Sequence, residues 1–104
     1  MMTKEEAKQV CTDAVEAWGI EPQVNIAIEE AAELTVALEH FRRGRATMKE
    51  VQTEIADVLI CCLQLSLIFG EDGVDSEFQS KLERLKGRIE RSKQNVSKKE
   101  YYGG

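Results

Sequence analysis

Apolar residues fall along this chain at intervals of three and four. Ala7, Val10, Cys11, Ala14, Val15 and Trp18 form the first such run, and that spacing predicts an amphipathic helix. Thr3 and Glu6 have the spacing of a capping box, which opens the helix. Gly19 closes it after Trp18. Pro22 suits the first turn of a second helix, where its missing N–H costs nothing. That helix runs to about Arg43 and stops at Gly44, with Arg42 and Arg43 at its negative end. Thr47 and Glu50 repeat the capping-box spacing and open a third helix, which ends near Phe69, before Gly70. A loop is expected over residues 70–75. Ser76 and Gln79 then offer a third capping box, opening a fourth helix striped by Phe78, Leu82, Leu85 and Ile89. The pattern predicts an all-α, four-helix bundle over residues 1–96 as one domain, followed by a flexible polar tail over 97–104. The third helix is apolar nearly all round. So small a chain has little to cover it with, which implies an oligomer.

Two acidic pairs break the apolar stripes. They are Glu30 with Glu33 on the second helix, and Glu54 with Asp57 on the third. Each pair has i, i+3 spacing, so its two carboxylates share one helix face. Projected at about 100° per residue, Glu30 and Glu33 fall among Ile26, Ala37 and Phe41. Glu54 and Asp57 fall with Val58, Cys61, Leu65 and Ile68. Acid pairs at this spacing are common on solvated helices, and one alone carries little. Two pairs, each on the apolar face of its own long helix, are harder to assign to the surface. Four carboxylates turned towards one core would repel and lose hydration, so they need a counter-charge. A divalent cation held by oxygen ligands is the simplest candidate.

Composition narrows the classes. With 104 residues the chain is sized for one small domain, and 42% apolar against 32% charged residues suits a soluble fold. The net charge of −5 argues against binding a nucleic-acid polymer through its backbone. Two basic clusters, Arg42-Arg43-Arg45 and the stretch from Lys81 to Lys99, read as solvated helix ends or faces. The opening MMTKEEAKQ lacks the apolar core of a signal peptide. The segment from Ala56 to Phe69 is strongly apolar but short of the roughly 20 residues that span a bilayer, and it carries Asp57, Gln64 and Ser66. No membrane partner is expected. Cys11, Cys61 and Cys62 are an odd set, two of them adjacent on an apolar helix, which predicts free thiols packed in a core and a reducing cytoplasm. With His40 the only histidine, neither a zinc site nor a ferritin-like Glu-x-x-His site is offered. Oxygen-only ligation favours Mg²⁺, with Mn²⁺ as an alternative.

The order Glu29-Glu30-Ala31-Ala32-Glu33, some twenty residues, then Glu54-Ile55-Ala56-Asp57 resembles the MazG-like, all-α nucleoside triphosphate pyrophosphohydrolases. Trp18-Gly19, Gln23 before the first motif and the apolar run after Asp57 are also similar, so the likeness covers about residues 15 to 90. It implies Mg²⁺-dependent hydrolysis of an NTP or dNTP to the monophosphate and pyrophosphate. It carries the ligand and catalytic roles to Glu30, Glu33, Glu54 and Asp57, with Glu29 in support, and it implies a dimer or tetramer. The family often has Lys-x-x-x-Asn-x-x-Arg on the last helix. Lys81 and Arg88 match its ends and would contact phosphate, but Leu85 stands where the Asn is expected. Trp18 and Gln23 could contact the nucleobase. The plainer alternatives are a core residue closing the first helix and a first-turn polar residue.

Cys61 and Cys62 read as packing residues, and His40 as a helix-surface residue bordering the cleft. Two other classes stay open: a non-catalytic metal or nucleotide sensor, and a helical interaction module whose acids pair with a partner's Arg or Lys. The sequence leaves open the base, the sugar, the number of metal ions and the carboxylate that acts as base.

Overall fold

The computed structural model describes residues 1–101, with side chains through residue 95. The chain is all-α: α1 (Lys4–Trp18), α2 (Ile20–Arg42), α3 (Met48–Phe69) and α4 (Glu71–Tyr101), with no strand among the described residues.

Local sequence sets three of these boundaries. Thr3 Oγ1 accepts from the Glu6 N–H at 3.1 Å, and the Glu6 carboxylate accepts from the Thr3 N–H. Thr47 and Glu50 repeat the exchange at the start of α3, at 3.1 and 2.9 Å. Each box satisfies N–H groups that the first helical turn cannot. Pro22 sits in the first turn of α2, where its ring is tolerated. The α2–α3 turn is a Schellman motif. The Gly44 N–H donates to the Phe41 carbonyl at 3.0 Å, and the Arg45 N–H donates to the His40 carbonyl at 2.7 Å. Gly44 has φ 73, which side-chain-bearing residues rarely adopt.

The described chain divides into two compact units, the first closing at Gly70 and the second beginning at Glu71. In the first, α2 packs chiefly along α3, and α1 touches both. Burial there is thin. Cys11 and Cys61 are its buried apolar residues, and Gln23 and Gln64 are buried beside them. Val24, Leu34, Val58 and Leu65 are half-buried, while Ile28 and Leu59 are 64% and 60% exposed.

Several expectations need correction. The loop over residues 70–75 is instead the start of α4, where Glu71 and Asp72 favour a helix N-terminus. Ser76 is therefore interior to α4 and does not cap it. Helix α4 continues through Tyr101, into the segment expected to be a tail; the rest of that tail lies outside the described residues. Cys62 is exposed, because its neighbour Cys61 takes the inward position on α3. All three cysteines are free thiols. At 22 residues, α3 is also longer than its apolar segment, and by length and composition it could reach across a bilayer. Glu54 and Asp57 lie within that length and are half-buried.

Candidate functional site

The turn at Gly44 lays α2 and α3 side by side in opposite directions. Counting from Gly44, Glu33 lies 11 residues back and Glu54 lies 10 forward. Glu30 lies 14 back and Asp57 lies 13 forward. Each helix rises about 1.5 Å per residue, so Glu33 meets Glu54 at one level and Glu30 meets Asp57 one turn higher. One carboxylate oxygen from each of Glu30, Glu33 and Glu54 can be chosen so that all three lie within 4.8 Å of one another.

The cluster sits at an open edge and not in a deep core. Glu33 is exposed, and Glu30, Glu54 and Asp57 are half-buried. The apolar neighbours expected around the first pair are open too, with Ile26 and Phe41 both exposed. Two atoms are nevertheless sealed from solvent. Glu30 Oε2 and Glu54 Oε2 are buried and have no hydrogen-bond partner. Loss of hydration raises the Glu30 carboxyl above the usual range, and the charges of Glu33, Asp57 and Glu54 and a hydrogen bond with Glu33 add to it. Glu54 is raised by desolvation first, then by Glu33 and Asp57.

The donor set is oxygen only, crowded, and short of positive charge. Such a set fits a hard divalent cation, which takes carboxylate oxygens readily. Two of the three clustered residues, Glu30 and Glu54, also carry an unpartnered buried oxygen. Glu30, Glu33 and Glu54 are placed to hold it, with Asp57 beside them. Glu29 is exposed and stands outside the cluster.

A recess opens on either side of the acids. One, of about 490 Å³, is lined by Glu33 and Glu54 together with His40, Arg45 and Glu50 at the turn end. The other, of about 180 Å³, is lined by Glu30 and Asp57 together with Trp18, Gln23, Ile26, Ile60, Cys61 and Gln64. Trp18 does not close the core; it is 66% exposed, because α1 ends there and Gly19 turns the chain into α2. Gln23 is more than a first-turn polar residue, being 2% exposed with its Nε2 unpartnered. The Cys61 thiol is pushed up by burial, and further by Glu30, Cys62 and Asp57, which suits packing and not nucleophilic attack.

Arg45, Glu50 and Gln64 were missed as recess residues. The turn signature could have found Arg45, since it follows the stop Gly44 and is drawn back against His40. Gln64 lies seven residues, two turns, beyond Asp57 and so shares its face. On α4, Lys81 is exposed, and Arg88 lines a shallow groove with Ser80, Arg84, Gly87 and Arg91. No family model, curated protein or solved structure matches the chain.

Proposed function

We propose that the chain is a divalent-metal-dependent nucleoside triphosphate pyrophosphohydrolase, releasing monophosphate and pyrophosphate. One observation carries the reading. Acids from two antiparallel helices converge to within 4.8 Å, and two of their oxygens are buried without a partner. Surface acids held apart by solvent have no reason to leave such atoms unpaired.

Glu30, Glu33, Glu54 and Asp57 would hold Mg²⁺, or Mn²⁺ in its place. When bound, the cation supplies the positive charge that offsets triphosphate oxygens and the departing pyrophosphate. The remaining work falls to the chain. The α2–α3 pair fixes the acids relative to one another, so the substrate is oriented without rearranging the fold. Glu33 or a neighbouring carboxylate takes the proton of the attacking water. Arg45 and His40 border the acids and are suited to meet phosphate oxygens.

We also propose that the chain works as a homo-oligomer. The support is the apolar surface left open on the first unit, Ile28 and Leu59 included. The same surface is what a plain helical interaction module would show, and hydrolysis separates the two readings. The protein is incubated with ribo- and deoxyribonucleoside triphosphates, with and without Mg²⁺, and products are identified by ³¹P NMR. Monophosphate plus pyrophosphate, formed only with metal, is the expected result. Diphosphate plus inorganic phosphate, or no turnover on any substrate, would overturn the assignment.

A further inference from the structure

The second compact unit is a single helix, α4, with no cover of its own. Residues 72–86 are all exposed, and none from 71 to 95 is buried. Val74, Phe78, Leu82, Leu85 and Ile89 stand between 40% and 59% exposed. From Phe78 onward they follow intervals of four, three and four, the seam spacing of a coiled coil. At about 100° per residue, all five fall within an arc of about 80°. A helix alone in water is marginal and draws its stability from packing such a stripe. The stripe therefore calls for a partner.

Charge along the helix says which one. Residues 71–77 carry four acids and no base, whereas residues 78–95 carry six bases and two acids, Glu83 and Glu90. By projection those two acids face away from the stripe. Lys81 and Arg88 flank it on one edge, and Lys86 and Lys93 on the other. A second α4 laid alongside in the same direction would set acid against acid, Lys81 against Lys86 and Arg88 against Lys93, all repulsive. A reversed one matches. With Leu82 against the partner's Leu85 and Phe78 against the partner's Ile89, Asp72 and Asp75 come level with the partner's Lys93. The partner's Arg88 falls between Glu77 and Lys81, so the other edge is balanced. An anionic membrane would accept the basic length of the stripe but repel the acidic start, where Asp75 lies beside it. A reversed copy of the same helix accepts both.

We propose that α4 is an association element that pairs with the α4 of a second copy, antiparallel and centred between Leu82 and Leu85. This surface belongs to the second unit, not to the apolar face of the first, and its pairing needs neither metal nor nucleotide. The arrangement is isologous, so every charge pair occurs twice.

Zero-length carbodiimide coupling joins a lysine only to a carboxylate in contact with it. Lys93 lies 21 residues from Asp72 and 18 from Asp75, about 31 and 27 Å along one helix. An amide between Lys93 and either acid can therefore form only between two copies running in opposite directions. The full chain is coupled at low ionic strength, the products are mapped by peptide mass spectrometry, and self-association is followed by sedimentation equilibrium. A covalent dimer with Lys93 joined to Asp72 or Asp75 is expected. Lys93→Glu should weaken self-association about tenfold, because two attractive pairs become repulsive. Asp72→Lys with Asp75→Lys should do the same, and all three substitutions together should restore most of the loss.

Coupling of Lys93 only to acids of α1, α2 or α3 would overturn the proposal. So would tighter association of Lys93→Glu, which parallel pairing requires. A chain that stays monomeric yet binds vesicles of anionic lipid through α4 would assign the stripe to a membrane surface instead. An oligomer without the Lys93 products, held through the first unit alone, would also overturn it and leave the hydrolase reading untouched.

Discussion

Glu30 on α2 and Glu54 on α3 each bury one carboxylate oxygen, Oε2, that no hydrogen bond satisfies. Both also have raised proton affinity, with desolvation as the leading cause. Two side chains in different helices thus share one deficit, and a single ion between them would remedy it.

Metal should therefore stabilise the fold by mass action. At a hundredfold excess over Kd the gain is about 2.7 kcal/mol, a shift of several degrees in Tm for a chain of this size. Thermal melts with rising Mg²⁺ or Mn²⁺ check this. Glu54→Gln should flatten the response, and an unchanged response in that variant would remove Glu54 from the ligand set.

Without metal, stability should run against the usual trend for carboxylates. A folded-state pKa raised above its unfolded value means the native state binds protons more tightly. The stability contributed by Glu30 and Glu54 is then complete below the ordinary glutamate range. It is lost as pH rises through their raised values. Urea midpoints in chelator should fall from mildly acidic to neutral pH, and Glu30→Gln with Glu54→Gln should level that slope. A midpoint that rises over the same interval in the parent, and is unmoved by the double substitution, would contradict the site electrostatics.

Turnover and folding should part company at the acids. Glu54→Gln and Asp57→Asn are expected to lose about a hundredfold or more of Mg²⁺-dependent hydrolysis while keeping the helical circular dichroism of the parent. Both relieve like-charge repulsion, so neither should melt lower in chelator. Parent-level hydrolysis in both would end the catalytic assignment.

Gly44→Ala tests the turn. Nothing stands within 4 Å of the added Cβ, so the cost is the backbone conformation alone. At φ 73 that cost is about 1 kcal/mol. Denaturant titration should show this loss. The variant should also bind metal more weakly, because the turn sets how α3 meets α2.

The helices were legible where side chains act locally. Thr3, Thr47 and Gly44 each fix a boundary through bonds within a few residues, and all three stand where their spacing places them. Ser76 has the same spacing and caps nothing, because Glu71 had already begun the helix after Gly70. The acids too were legible as a pattern, since their spacing sorts them to one face. How deep they would lie was not. Burial depends on what the opposite helix brings, and here it brings other acids and a thin core, which leaves Glu33 exposed. Trp18 and Gln23 exchanged places for the same reason. The turn at Gly19 leaves the indole exposed and the Gln23 side chain buried, a difference no periodicity contains.

The Schellman turn at Gly44 acts as the pivot of a pair of dividers. Its two arms, back to Glu33 and forward to Glu54, are nearly equal, and the next pair of acids is nearly equal again one turn out. One residue gained or lost on a single arm would swing that arm's carboxylates through about 100° and carry them off the facing surface. Changes in length are admissible only in step on both arms. The interval between the two acidic motifs is therefore a measured distance and not a tether.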